Sequence, residues 1–390
     1  MARSLEALIT PEVLAWARDS YGLDLATAAK SVGVSVEKLV AWESGEEKPS
    51  LAKARQLAKI YKRPLAVFYL PAPPKDFQAL RDFRKLADTE NAPIVSPELK
   101  RAIRWAAEFK ETAISLMEEN GESFPELKIS AKLSDSPEKL ALEIREKLGL
   151  AWKTQESWRD SYQALRAWKD MIESYGILVT QVGKIPLREM RAFSIGESPL
   201  PVIALNSKDM PNGKIFSLLH ELTHILLHQS GICQWDNTSR LYKDEMAIEV
   251  FCNHVAGAVL VPQELLLQDT IVNMNKGRKD WDEEDLDLIA RTFSVSREVV
   301  LRRLLTLGLT TNSFYEMKRQ EFIEEYKKLS QKGGKAVVKF EKRVVNSLGK
   351  GFVQLALSSY YEKRISLNSL CDLLGVKTNY VSKIEFEVMR

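Results

Sequence analysis

Ile215-Phe216-Ser217-Leu218-Leu219-His220-Glu221-Leu222-Thr223-His224-Ile225-Leu226-Leu227-His228 reads as one buried helix. Ile215, Leu218, Leu219, Leu222, Ile225 and Leu226 share one arc at helical spacing, and His220 and His224 point nearly opposite. Glu221 is the only charge between Ile215 and Leu227. Residues i and i+4 project from one helix face about 6 Å apart, so two imidazoles can grip one small cation while the adjacent glutamate acts as a base toward water there. The His-Glu-x-x-His pattern therefore predicts a zinc peptidase with Zn2+ as cofactor. Core histidines satisfied by hydrogen bonds are the ordinary alternative; the apolar wall favours the metal, because a dry site strengthens ligand bonds and lowers the pKa of water towards ~7.

A peptidase zinc takes a third protein ligand on a second element. Glu249 is the leading candidate, in Glu249-Val250-Phe251-Cys252-Asn253-His254-Val255-Ala256-Gly257. Glu249, Asn253 and Ala256 share a helical face bordered by Gly257, and small residues around a carboxylate let two helices approach closely. Glu245, one turn earlier, competes for the role but lacks that face. Asn253 is placed to accept the outward N–H of a ligand histidine and fix its tautomer. His228 lies about 12 Å of helix rise beyond His220, too far to share the ion, and the metzincin spacing is absent. His228 and His254 are expected to be structural or supporting.

The first 70 residues form a separate unit. Leu25 to Glu43 has the apolar spacing of two short helices joined at Gly33, the helix-turn-helix pattern. Ser35, Glu37 and Lys38 are its candidate DNA-contacting residues, although Glu43, Glu46 and Glu47 follow closely and base reading favours Arg, Lys, Asn or Gln. Partner docking is the competing use. Two later segments repeat the pattern: Ile289 to Glu298, and Leu367 to Glu385, where Gly375-Val376 falls on Gly33-Val34. Lys327 to Lys350 holds eight Lys/Arg against the single Glu341, with a hinge expected at Gly333-Gly334. Such a run is usually a solvated face, and phosphate contact is the sharper reading.

Pro71-Ala72-Pro73-Pro74 stops the first unit, and helical periodicity resumes at Pro97. Period-two segments at Ile177 to Val182, Ala192 to Ile195 and Val202 to Leu205 predict a small sheet just before the metal helix, the zincin order. An exposed edge of that sheet would hold an extended peptide by backbone hydrogen bonds. The expected class is α+β, mainly α. Residues 1–72 form a five-helix-type helix-turn-helix domain, 73–130 a linker and helix, 131–315 a zincin-like peptidase domain, and 316–390 a C-terminal helical domain.

Composition fits a globular chain with a substantial core: 390 residues, 45% hydrophobic, net charge +3. Such a balance neither demands nor excludes nucleic acid. No apolar run approaches the ~18 residues of a membrane span, and the N-terminus lacks a signal-peptide core, so no membrane partner and a cytoplasmic location are expected. Cys233, Cys252 and Cys371 form no CxxC pair and suit a reducing compartment.

His220 to His228 together with Glu249 to Pro262 resembles the ImmA/IrrE metallopeptidases. Trp42-Glu43-Ser44-Gly45-Glu46-Glu47-Lys48-Pro49 and Arg63 to Pro71 are similar to members fused to an XRE-type helix-turn-helix. The resemblance implies His220, His224 and Glu249 as zinc ligands and Glu221 as the base of a gluzincin-like endopeptidase. It also implies a protein substrate, a helix-turn-helix regulator or toxin encoded nearby, in a bacterial stress-response, phage or mobile-element switch. The alternative is a DNA-binding repressor or antitoxin whose peptidase fold acts on itself or on a toxin. DNA would then bind through residues 1–70, and a homodimer is compatible with either reading. Phe251-Cys252 stands where many single-domain members have Glu-Ala, and Val261 where Met is common, which bears on substrate choice. Tyr242 and Arg240 are guesses for an oxyanion donor.

Overall fold

The computed structural model describes residues 6–61, 63–73, 96–125, 128–228, 241–332 and 338–389. They form two compact units whose boundary falls between Trp105 and Ala106. No helix among the described residues is long and apolar enough to cross a membrane.

The first unit opens with α1 (Pro11–Tyr21), α2 (Leu25–Val32), α3 (Val36–Ser44) and α4 (Leu51–Ile60), followed by a 3-10 turn at Leu65–Tyr69. Its boundaries are written in the sequence. Asp24, Ser35 and Ser50 each accept a backbone N–H at the start of a helix, and Gly22 and Gly33 take left-handed φ values of 77° and 70° just past α1 and α2. Leu14, Leu39, Trp42, Leu57 and Phe68 fill the core, each contributing roughly 1.5–3 kcal/mol by burial. The helix-turn-helix pair is α2 and α3, joined at Gly33 as the spacing predicts. The first turns of α5 (Pro97–Asn120) belong to this unit.

The second unit continues with α6 (Pro137–Lys147), α7 (Trp152–Glu156) and α8 (Ser161–Glu173), then β1 (Leu178–Val182), β2 (Ala192–Ile195) and β3 (Val202–Asn206). The sheet order is β1-β3-β2, with β1 parallel and β2 antiparallel to β3. Next come α9 (Pro211–His228), α10 (Leu241–Leu260), α11 (Gln263–Gln268), α12 (Thr270–Met274), α13 (Glu283–Phe293), α14 (Arg297–Thr306) and α15 (Asn312–Lys332). The chain ends in α16 (Phe340–Leu348), α17 (Lys350–Tyr361), α18 (Leu367–Leu374), a 3-10 turn at Thr378–Tyr380 and α19 (Val381–Met389).

Helix α9 is the centre of this unit, packed on α8, α10, β2 and β3. Every residue from Lys214 to Leu227 is buried. Its start is fixed by the Asp209 carboxylate, which accepts from the Met210 N–H at 2.9 Å and, through its two oxygens, from Arg191 Nη1 at 3.1 and 3.2 Å. A Cβ at Gly213 would lie 2.6 Å from Asp209 Oδ1, so this position in the first turn requires glycine. An anion there also suits the positive end of the helix dipole.

The far end of α10 is held by three buried side chains. Arg145 donates to Val259 O at 2.8 Å, Gln155 to Leu260 O at 2.9 Å and Arg303 to Val261 O at 2.9 Å. Unsatisfied carbonyls at a helix C-terminus favour such donors, and cations most of all. Burial lowers the Arg145 pKa to about 10.

The expectation of an exposed sheet edge is corrected. Helix α16 lies along β1, where the Thr180 hydroxyl donates to Ser347 O and a Cβ at Gly349 would lie 2.7 Å from Val179 O. All four residues of β2 are buried. The three-stranded sheet is thus a supporting wall for α9. The sequence pattern located its strands correctly, but edge exposure is decided by packing from distant segments.

Candidate metal centre

Helices α9 and α10 bring three donor side chains together. His220 Nε2 and His224 Nε2 stand 3.0 Å apart, and Glu249 places Oε2 at 3.3 Å from the first and Oε1 at 3.2 Å from the second. All three donor atoms lie within 4.8 Å of one another. Ligands bound ~2.05 Å from a tetrahedral zinc are separated by roughly 3.3 Å. The donor set and its spacing therefore fit zinc. Both histidines are buried, whereas the Glu249 side chain is 36% exposed, so the cluster is open to solvent on the α10 side.

The three groups together favour a positive charge between them. Burial works against ionised Glu249, but the two imidazoles outweigh it and hold its pKa well below the ordinary carboxylate range. Burial likewise opposes a proton on His224, and the Cys252 thiol with the Glu249 carboxylate overcomes it, raising the His224 pKa well above its usual value.

Glu221 is not one of these three donors. It is buried to 1% exposure, and its Oε2 accepts a 2.8 Å hydrogen bond from the Ser194 hydroxyl of β2. Ser194 was not a sequence candidate. Its strand was legible, but that its hydroxyl meets Glu221 depends on how β2 lies against α9. Cys252, read for its redox implications and as a departure from the family's Glu-Ala, is buried beside His224, and burial raises its thiol pKa.

Other expectations divide. Asn253 is half-buried, and its Oδ1 has no hydrogen-bond partner among the described residues. Gly257 does not serve a close approach to α9; a Cβ there would meet Arg303 Cδ at 3.1 Å, so its absence admits the arginine that caps α10. His254 bonds Glu138 at 2.8 Å, and Arg303 grips the same carboxylate at 2.7 and 3.0 Å. Burial opposes ionisation of Glu138, and the hydrogen bonds from His254 and Arg303 with the Arg303 charge overcome it and lower the Glu138 pKa to about 2. The side chains of His228, Tyr242 and Glu245, together with Arg240 and the Gly333-Gly334 hinge, lie outside the described residues.

In the first unit, Ser35 accepts from the Lys38 N–H at 3.3 Å as the cap of α3. Glu37 is exposed, and its carboxyl pKa is lowered by its own backbone N–H and the Ser35 hydroxyl. The Lys38 ammonium pairs with Glu47. Glu43, counted with the surface acids, faces inward: Arg18 donates to its two oxygens at 2.8 and 3.0 Å.

Two family profiles match the chain. Residues 172–305 match the IrrE N-terminal-like peptidase M78 domain. Residues 14–68 match a helix-turn-helix domain. Residues 172–305 are thus an IrrE-like peptidase domain and residues 14–68 an XRE-type helix-turn-helix domain, the fusion that the sequence resemblance implies. The peptidase match spans the sheet, α9 and α10, and so contains the whole donor cluster. No curated protein matches the chain. The IrrE-like domain makes this a metallopeptidase-family fold.

Proposed function

We propose that the chain is a zinc-dependent endopeptidase that cleaves a partner regulatory protein of the helix-turn-helix type, in a bacterial stress-response, phage or mobile-element switch. The observation that carries the reading is the convergence of His220, His224 and Glu249 beside a glutamate that is not part of the donor set. His220, His224 and Glu249 would hold zinc, which when bound would supply a Lewis acid for the scissile carbonyl and make water more acidic. Glu221 takes a proton from the attacking water as its oxygen bonds the carbonyl carbon, and delivers that proton to the amine as the C–N bond breaks. Ser194 holds one Glu221 oxygen, so the carboxylate keeps a single orientation while the other oxygen handles the proton. The dry walls of α9 keep the base from being solvated.

The matched helix-turn-helix favours a second reading, a DNA-binding repressor or antitoxin whose peptidase fold acts on itself or a toxin. One experiment separates them. Glu221→Gln protein is expected to retain a helix-turn-helix regulator in a pull-down that wild-type protein cuts, with the variant slower by at least ~10³-fold. Recovery of promoter DNA alone, with no captured protein cut by wild type, would transfer the case to the repressor reading.

A further inference from the structure

The repeat noticed between Leu25–Glu43 and Leu367–Glu385 is a repeat of structure, down to individual hydrogen bonds. Asp24 caps α2 by accepting the Thr27 N–H; Ser366 caps α18 by accepting the Ser369 N–H. Gly33 and Gly375 follow with φ of 70° and 65°. The Val34 N–H reaches Ala29 O at 3.0 Å, and the Val376 N–H reaches Cys371 O at 2.9 Å. Ala28, Ala29, Val32, Leu39 and Trp42 are buried in one unit; Leu370, Cys371, Leu374, Val381 and Ile384 are buried in the same register in the other. The last 25 or so residues are therefore a second helix-turn-helix, with the 3-10 turn and α19 in the place of α3.

What differs is the outward face. In the first unit that face carries Ser35, Val36, Glu37, Val40 and Ala41, with Lys38 paired to Glu47. The corresponding C-terminal positions are Lys377, Thr378, Asn379, Ser382 and Lys383, and all five are exposed. Lys, Asn, Ser and Thr are side chains that hydrogen-bond base edges and phosphates. Phe386, 70% exposed one turn on, offers an apolar contact of the kind made with a thymine methyl. Cations border this face: Lys383 sits over the Tyr380 ring, Tyr380 packs tilted against Phe340 with ring centroids 4.6 Å apart, and Arg343 sits over Phe340. Residues 338–389 hold eight Lys/Arg against five Asp/Glu, while residues 11–61 hold seven of each. Of the nearby acids, Glu385 accepts the Tyr361 hydroxyl at 2.7 Å, Glu341 and Glu387 are half-buried, and Asp372 is exposed at the end of α18.

We propose that the principal DNA-binding surface of this chain is the C-terminal helix-turn-helix: the exposed face of residues 377–386 enters the major groove of duplex DNA, and Lys377, Lys383 and Arg343 contact phosphates. This does not depend on the peptidase chemistry. The test uses full-length protein and a fluorescent 30-base-pair duplex of random sequence, titrated between about 50 and 200 mM salt. Lys377→Ala/Lys383→Ala is expected to weaken binding about tenfold or more and to reduce the salt slope by about 2, one per lost phosphate contact. Lys38→Ala is expected to change affinity less than about twofold, because its charge is already paired. Both lysines are exposed, and an unchanged circular dichroism spectrum would establish that the double variant folds. The proposal is overturned if the wild-type chain fails to bind duplex at low salt, if the double variant binds as tightly as wild type, or if Lys38→Ala causes the larger loss. Loss in the double variant of a protein partner, with duplex binding intact, would equally assign the face to protein and overturn it.

Discussion

The metal cluster and the N-terminal helix-turn-helix are both places where charged side chains meet, with opposite outcomes. At the cluster, Glu249 and two imidazoles converge on one another, and the fourth polar group, Glu221, stays outside the donor set and accepts a hydrogen bond from Ser194. In the N-terminal unit, by contrast, the polar groups that meet do so in pairs: Arg18 with Glu43, Lys38 with Glu47, and the neutral Ser35 hydroxyl with the start of α3. A site built for a ligand keeps donors pointed at a common position, whereas a scaffold satisfies them pairwise. The three helix-turn-helix repeats extend the lesson. In the middle copy, Ser294 occupies the left-handed position at φ 54°, Ser296 caps α14, and Arg303 falls where Trp42 stands in the first copy, its guanidinium given to Val261 O and Glu138. There the motif serves as packing.

The comparison can be broken from the N-terminal side first. If the Arg18–Glu43 pair is scaffold, Glu43→Ala leaves a half-buried guanidinium without its carboxylate and should destabilise the first unit by about 1–3 kcal/mol. Chemical denaturation followed by Trp42 and Trp16 fluorescence would read this, with zinc content and peptidase activity at native conditions unchanged. A loss of duplex binding without loss of stability would instead make Glu43 a surface residue of the interface.

A smaller effect sharpens the other side. Ser194→Ala removes one neutral hydrogen bond to Glu221, worth about 1 kcal/mol, so kcat/KM should fall about three- to tenfold with zinc content intact. Ser194→Thr, which restores the hydroxyl, should recover most of the loss. Because Ser194 acts through Glu221, the acidic limb of the pH profile should also move; an unchanged profile would make the serine a packing residue.

How far each feature could be read from sequence follows from the range of the interactions involved. The metal helix, the three strands and the glycine-centred turns are local patterns of burial and capping, and their placements match the structure closely. His220, Glu221 and His224 are fixed by spacing on one helix, and Glu249 by one turn of a second. Ser194 and Cys252 were missed because each matters through contact with α9 across the fold. Gly257 was misassigned for the same reason: its neighbour, Arg303, is 46 positions away in sequence. The covered β1 edge depends on α16, still farther along the chain.

The central claim is that His220, His224 and Glu249 hold a metal while the adjacent Glu221 does not. Elemental analysis of purified protein tests it most directly. Wild type and Glu221→Gln are expected to carry about one zinc per chain, and Glu249→Ala to lose most of it. Zinc retained by Glu249→Ala, with Glu245→Ala or Glu221→Gln losing it instead, would contradict the assignment.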